Sequence, residues 1–597
     1  MRGWLIAVAG LCAAAGRCVA AGPCVVAGPC VAQGFSPASA GLKPRASSMS
    51  SWNDVALQTT YAKDVAPLLA DRCGMCHHPG GSAPFALLTY ADAKRRATQI
   101  AAVTANRFMP PWKADPADGP FVGQHPLSDG EIRLLRQWVD AGAPEGDARD
   151  RPPARAWSEG WQLGQPDLVI TLNEPYTLPA EGTDAFHIFV LPIPVETARF
   201  VRGLEFRPGN PRVVHHANIR IDSTPASRRL DEADPAPGYD GLIAWSATYP
   251  DGHFLGWTPG QVAPLLPSDL AWRLEKHTDL VVELHMQPSG KAEQISPSIG
   301  LYFGDAAPTR TPAMLRLGRQ NIDIPAGDPT YVVTDAYTLP VDVELEAVQP
   351  HAHYRARDVR GEATLPDGTK RALIDIADWD FRWQHVYRFV TPMRLPKGTT
   401  VSMRYTYDNS PANARNPQQP PVRARWGQRS AEEMGDLWIQ VLTRTADGLD
   451  LLSRDFRSKV AAEDVKGYEV EIEKHPGDVG LHDGVAMLYL ELGKSEGAIA
   501  HFRTSLALKP QSAVAHYNIG TALTVARRLD EAAGEYREAL RIDPAYANAH
   551  NNLGNVFLAQ KKYDEAIREF MDVVRLQPES GAARKNLAAA KALAEQR

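Results

Sequence analysis

Cysteine is nearly absent from the body of this chain. Six occur among 597 residues, four of them at positions 12, 18, 24 and 30 and the other two at Cys73 and Cys76. From residue 77 onward there is none, so no disulfide can brace the larger part of the molecule, which must rely on well-sized apolar cores. Positive charge is not in excess either: 64 basic against 70 acidic residues give a net charge of −6, and no basic run stands out. Nucleic-acid binding is excluded on that ground. After the N-terminus no apolar run reaches the ~18 residues that a membrane span needs.

Other features are present in quantity. At 44% hydrophobic and 22% charged, the composition is that of ordinary globular protein, and the length calls for several domains. Arg2 followed by an apolar stretch over residues 4–15 reads as an export signal. The degenerate CVAAGP, CVVAGP, CVAQGF repeat after it has no core-forming pattern, so residues 1–50 are expected to be signal and disordered leader. An exported, periplasmic or otherwise extracytoplasmic bacterial protein follows from this.

Cys73-Gly74-Met75-Cys76-His77 is CxxCH, the attachment spacing of c-type haem. Two thiols at this spacing can form thioethers to one haem, and the adjoining His77 reaches the iron from the same face. A redox CxxC would sit in a βαβ setting, which is missing, and no second CxxC exists to complete a zinc site. Helices are expected at 61–72, 89–103 and 128–141. Between the last two lies Arg107-Phe108-Met109-Pro110-Pro111-Trp112, where Met109 is the expected sixth ligand; His78 and His125 are the alternatives. Residues 58–147 therefore read as a helical domain holding one covalent haem c, and they resemble bacterial cytochrome c domains of the CHxPGG…MPPW type. Residues 148–166, rich in Pro, Gly and charge, read as a linker, with Trp157 and Trp161 able to pack on a neighbour.

The pattern then changes. Short alternating or β-branched runs such as LVITL, HIFVLPI, HANIRI, DLVVELHM, HVYRFV and TTVSMRYTY are separated by Pro, Gly, Asn and Asp. That is the mark of antiparallel sandwiches, here two, at 167–310 and 311–448. Histidines recur in this stretch. His351 and His353, two apart on a strand, point to one side and can share a metal ion; imidazole suits copper, zinc, iron or nickel, so the pair alone does not choose among them. His215-His216 stands just before the strand ANIRI, His285 ends the run DLVVELH, and Met434 closes WGQRSAEEM. His187, His253, His277 and His385 read as surface or core histidines, and Met286 as core.

In order, VVHHANI, FLGWTPG…LP, VVELHMQ, PHAHYR and WGQRSAEEM resemble the copper type II, ascorbate-dependent monooxygenases, the peptidylglycine α-hydroxylating and dopamine β-monooxygenase group. The resemblance implies two copper ions in two β-sandwich, jelly-roll-like domains. His215, His216 and His285 would hold an electron-transfer copper; His351, His353 and Met434 would hold the copper that meets O2 and an organic substrate and so be catalytic. It implies a monooxygenase hydroxylating an unnamed substrate, with the haem passing electrons to the first copper and on to the second, and an external donor feeding the haem. Three features depart from the family. Gln349 stands where peptide hydroxylases carry an arginine, Trp438 replaces a tyrosine expected after the copper methionine, and the family's disulfides are missing. The alternative is a non-catalytic electron-transfer or copper-binding scaffold. A zinc hydrolase on the same histidines is disfavoured by Met434, because thioether is a poor zinc ligand.

The last region, 464–597, shows a 34-residue period. Pro510, Pro544 and Pro578 keep it, as do Ala498, Ala532 and Ala566, and Gly520 and Gly554. The blocks resemble tetratricopeptide repeats, with residues 465–475 as a joining helix and 579–596 as a capping helix. A concave surface for a protein partner is the expected use.

Overall fold

A computed structural model of the chain describes residues 58–596 apart from 80, 82, 125, 154–159, 183, 242, 245 and 262. The expected signal and leader with its four cysteines, His125 and Trp157 lie outside the described residues.

The first described region is a small helical module. Tyr61–Val65 runs on into Ala66–Arg72, followed by Tyr90–Arg95, Ala97–Ala105 and Asp129–Asp140. The expected single helix over 89–103 is two, broken at Arg96, whose guanidinium lies 3.9 Å above the Phe85 ring. Thr89 and Ser128 cap their helices through reciprocal bonds with Asp92 and Glu131, each cap a contribution of about 1 kcal/mol. Tyr61, Val65, Leu69, Ile100, Leu135 and Trp138 form the module's core.

The central region is antiparallel β, as its alternating runs predict. In the first half, Leu168–Thr171, Ser298–Gly304, Arg199–Arg207 and Trp272–Leu274 make one four-stranded sheet. Ala185–Pro192, Asp279–Met286, Val214–Asp222 and Gly256–Trp257 make the sheet opposite, and Phe189, Leu204, Val214, Leu284 and Met286 fill the space between. The second half repeats the plan. Pro312–Gly318, Gly435–Thr443, Val343–Ala352 and Tyr387–Leu395 face Tyr331–Thr338, Thr400–Tyr407, Ala356–Thr364 and Lys370–Ile376. Its core takes in residues from outside the sheets: Ala114 and Phe121 from the segment after Met109, and Leu452, Phe456 and Val470 from a long helix.

Both additions tie the parts together. The 115–122 segment pairs with the second sandwich, Asp115 N–H donating to the Asp375 carbonyl and Val122 N–H to the Arg388 carbonyl (both 2.8 Å). The expected linker also packs: Trp161 lies under Arg207 at 4.2 Å, and the Gln162 and Leu163 amides donate to Glu205. The joining helix is far longer than the expected 465–475, spanning Ala446–Lys474. Leu449, Leu452, Phe456 and Val460 recur at helical spacing and give it an apolar stripe that seats on the second sandwich. Arg316–Asp464 and Lys459–Asp335 ion pairs flank that stripe.

Three helical hairpins follow, Val479–Glu491 with Ser495–Leu508, Ala513–Val525 with Leu529–Ile542, and Ala547–Ala559 with Tyr563–Leu576, closed by Gly581–Glu595. The first helices of the hairpins and the closing helix start 34 residues apart. Gly554 marks why one small residue repeats: a Cβ there would sit 2.8 Å from the Phe570 ring. No described helix is long and apolar enough to cross a membrane.

Candidate metal and haem sites

The first histidine set depends on a β-bulge. Successive residues of a regular strand face opposite sides. The pair does not precede its strand, as expected, but lies inside Val214–Asp222. There the pairing with Asp279–Met286 slips: Val214 faces Met286, and the next partner, His285, faces His216. His215 is the extra residue, and a bulge redirects side chains in this way. The His215 and His216 rings consequently both approach His285, with centroids 5.1 and 4.8 Å away. The Nδ1 atoms of His216 and His285 face each other at 3.4 Å. Met286 points the other way, into the core.

The second set is built by strand register. His351 pairs with Asp436 and Ala352 with Gly435, so His353 and Met434 meet as the next step beyond the ladder. The His351 and His353 rings lie 5.3 Å apart, on one side as the period of two requires. Glu433, fully buried, fixes this corner. Its Oε1 accepts from the His353 amide (2.6 Å) and the Met434 amide (3.1 Å), and its Oε2 from the Arg355 amide (3.1 Å). Burial pushes the Glu433 carboxyl up to about 7. Tyr407 donates to the Met434 carbonyl at 2.8 Å.

Neighbouring side chains orient the imidazoles, and these the sequence reading missed. Asp184 Oδ2 lies 3.2 Å from His285 Nε2, within ion-pair range though off the line of a hydrogen bond, and accepts from the Tyr354 hydroxyl at 2.6 Å. Burial alone would raise the Asp184 carboxyl; His285 and the Tyr354 hydroxyl hold it below the usual range. His351 Nδ1 bonds the Gln384 side-chain oxygen, and Gln349 Nε2 donates to the Gln384 carbonyl at 3.4 Å. A hydrogen-bonded partner such as Gln384 fixes the tautomer and aim of a ligating ring. Phe381 lies against both sets, 6.1 Å from His216, 5.1 Å from His285 and 5.4 Å from His353. The sequence signals for these were the clustering of Trp, Phe, Asp and Gln over 379–385 and, for Tyr354, its place in PHAHYR; Asp184 had none.

The electrostatics suit neutral ligands. Burial, reinforced by His285, lowers His215 to about 4; burial likewise drives His216 and His353 well below the ordinary histidine range. Unprotonated imidazole is the metal-binding form. His215 Nδ1 is buried without a hydrogen-bond partner, as a donor atom awaiting a metal would be. By donor chemistry these residues suit copper, three imidazoles in one set and two imidazoles with a thioether in the other, but the three imidazoles of the first set do not bring one nitrogen each within 4.8 Å of the others.

The haem motif lies beside the first set. Cys73 and Cys76 are thiols, and burial pushes Cys73 up to about 12. His77 Nδ1 is 2.9 Å from the Phe85 carbonyl, which leaves Nε2 for an iron. His78 Nδ1 turns to the Gly74 carbonyl at 2.9 Å. Two thiols, an oriented imidazole and Met109 fit a covalent haem. Cys76 Sγ comes so close to Gly260 that a Cβ there would be 2.9 Å away, with Trp383 at 4.0 Å. Met109 and His215 line one cavity of ≈ 220 Å³ with Phe108, Pro259, Arg382 and Trp383. Met109, the expected iron ligand, and His215 thus share a wall, with Cys76 against Gly260 beside it.

The remaining histidines behave as expected of core and turn residues. His187 is satisfied by Asp240 and the Pro237 carbonyl, His277 sits at positive φ in a turn, and His385 Nδ1 meets Thr258 Oγ1 at 3.0 Å. His253 is buried with neither ring nitrogen bonded, and burial lowers it to about 3.

Comparison with known proteins speaks to the C-terminal region. Two family models, both described as tetratricopeptide repeat, match residues 486–547 and 526–591. The helical hairpins are tetratricopeptide repeats. No curated protein matches the chain. Among solved structures, this chain is similar to MamA (22% identity, 23% of this chain and 81% of that one, TM-score 0.22). It is also similar to the first TPR of Spaghetti (RPAP3) bound to HSP90 peptide SRMEEVD (22% identity, 19% and 93% covered, TM-score 0.19). The first TPR domain of human RPAP3 gives 19% identity, 20% and 93% covered, and a TM-score of 0.19. The tetratricopeptide repeats carry their own histidine pattern. His516 meets Glu535 and His550 meets Glu569, each at 2.7 Å, while His482 meets His501 at 3.0 Å. Among the described residues, His550, Glu569 and Asp572 bring three ligand atoms within 4.8 Å. Both His550 nitrogens are already engaged, the second by the Pro544 carbonyl at 3.2 Å, so the trio is a brace between helices.

Proposed function

We propose that this chain is an exported haem- and copper-dependent monooxygenase, hydroxylating an organic C–H bond with O2. The observation that carries the reading is the wall common to Met109 and His215, with Cys76 against Gly260 and Trp383. A cytochrome fused merely for convenience has no need to place its expected methionine ligand in one cavity with His215. Cys73, Cys76, His77 and Met109 would hold the haem, His215, His216 and His285 one copper, and His351, His353 and Met434 the other. Copper when bound supplies one-electron redox chemistry and O2 activation, and haem c supplies a one-electron carrier. The protein's own part is positioning. Asp184 aims His285, Gln384 aims His351, and Glu433 holds the backbone of His353 and Met434 in one corner. Burial excludes water and keeps the imidazoles neutral. Gln349, tied to Gln384, offers no charge to a substrate carboxylate, which argues for a substrate other than a C-terminal glycine-extended peptide.

The test is metal content with oxygen uptake. One haem and two coppers per chain are expected, with one copper lost in His351→Ala or Met434→Ala, and oxygen consumption that depends on a substrate from a panel. Haem alone, with metal content unmoved by those substitutions, would leave the second reading: an electron-transfer or copper-binding scaffold. The tetratricopeptide repeats suit a protein partner under either function.

A further inference from the structure

The helix Ala446–Lys474 does more than seat an apolar stripe. It ends at Lys474, where a cation also suits the negative end of the helix dipole. Two turns earlier, Gly467 lets the helix come close to the sandwich: a Cβ there would collide with Gln320 Oε1 and the Trp426 ring. Lys474 Nζ thereby reaches the loop that carries Met434. It donates to the Trp426 carbonyl at 2.8 Å and to the Glu432 carboxylate, with Glu471 on its own helix accepting at 2.8 Å. Glu432 is folded into that loop. Its Oε2 accepts from the Arg429 amide at 3.1 Å and fills the space that a Cβ on Gly427 would need. Its backbone carbonyl meets His353 Nδ1 at 3.2 Å. A carbonyl only accepts, so Nδ1 carries the proton and Nε2 is left for a metal. Met434 follows two residues later.

From this we propose that Lys474 is a positioning residue of the second histidine set, acting through Glu432 on the tautomer of His353 and the placement of Met434. The proposal rests on the reading that His351, His353 and Met434 hold copper. A plain fastening of helix to sandwich has a different look. Arg425 and Glu473 supply one at the same turn, 2.5 Å apart and with side chains 36% and 63% exposed, their charges meeting each other and not Glu432. Lys474 and Glu432 are 22% and 24% exposed, and the acid they bring together is the one whose carbonyl orients a ligand. The helix that leads into the tetratricopeptide repeats is thus built into the second set.

The experiment uses the full-length, haem-loaded chain. Before copper is added, hydrogen exchange of peptides covering residues 426–434 reads the clamp. Lys474→Met keeps the aliphatic stem and loses the donors, so exchange there should quicken about five- to tenfold, a size that allows for the partial exposure of the pair. Lys474→Arg should recover most of the protection, and Glu473→Gln should leave it as it was. The second readout is Cu(II) EPR in a His215→Ala background, which cripples the first set so that the remaining copper reports the second. Lys474→Met should alter that spectrum and weaken copper retention by a similar factor; Lys474→Arg should restore the spectrum. Quickened exchange with an unaltered spectrum overturns the positioning role and leaves a fastening alone. Exchange and spectrum that both match those of Glu473→Gln overturn the clamp as well. Loss of no copper on His353→Ala is a separate failure: it removes the copper reading, and the positioning role with it, whatever the exchange shows.

Discussion

Replacing Arg355 by leucine tests the construction of the Met434 corner. The side chain is fully buried, and its guanidinium has four protein acceptors: Asn409 Oδ1 at 3.0 Å, the Ala431 carbonyl at 2.9 Å, the Glu432 carbonyl at 3.5 Å and Gln418 Oε1 at 3.0 Å. The Ala431 bond anchors the loop that carries Glu433 and Met434. Leucine fills most of the volume but removes one donor from each acceptor; Asn409 Oδ1 keeps the Asn416 side-chain amide at 2.8 Å, and Ala431 and Gln418 lie nearer solvent, so each lost bond costs at most about 1–3 kcal/mol if taken alone. These terms share one network and do not add. Breaking a buried charged contact costs about 3–5 kcal/mol in total, and that is the expected loss. Glu433 softens it. Its carboxyl already stands at about 7, and without the adjacent positive charge it takes up a proton at neutral pH instead of staying charged. Because the chain is multidomain, a single unfolding free energy is not defined for it. Hydrogen exchange of peptides from Gly435–Thr443 reads the local stability, with peptides from Ala547–Ala559 as the internal control. A loss of this size accelerates exchange about a hundredfold to a few thousandfold in the strand and leaves the control unmoved. Arg355→Lys keeps charge but cannot span these acceptors, and should fall between. A change below about tenfold for Arg355→Leu would refute the claim that this guanidinium braces the corner.

Three further predictions follow from close contacts and charge. Gly435→Ala places a Cβ 2.2 Å from the Tyr407 hydroxyl, so it should cost about 1–3 kcal/mol and lower copper retention in the second set; Tyr407→Phe in the same chain should restore part of both. Gly260 has φ +83 and would push a Cβ to 2.9 Å from Cys76 Sγ, so Gly260→Ala should cost about 1–3 kcal/mol and speed limited proteolysis within residues 58–147. Burial, with Asp375 and Asp115 nearby, raises Asp118 from 3.8 to about 6. The folded state therefore holds its proton more tightly than the unfolded one, and this group's contribution is complete below pH 3.8 and lost as pH rises through about 6. Asp118→Asn keeps an acceptor for the Asp375 amide, so protection of Lys370–Ile376 against exchange, relative to wild type, should grow between pH 4 and 7 and be level below that window; an unchanged difference across it would refute the assignment.

Much of the molecule was legible in order along the chain. The 34-residue period and the alternating runs of the central region are local patterns, and local patterns survive folding because backbone geometry repeats. The long helix was seen only near its end, as 465–475; its stripe at Leu449, Leu452, Phe456 and Val460 was not read, and nothing in the sequence says which surface accepts it.

The same division holds at the candidate site. Cys73, Cys76 and His77 declare themselves by spacing, and His351 and His353 by the period of a strand. That His215 and His216 turn to one side could not be read, because a regular strand would split them; a bulge, set by pairing with Asp279–Met286, decides it. Asp184, Tyr354, Phe381, Trp383 and Glu433 lie as much as 170 residues from the groups they touch. The sequence by itself determined which donors the chain owns. Only the tertiary structure decided which of them meet, because contacts between sandwiches are set by packing of whole sheets and leave no periodic trace in either strand.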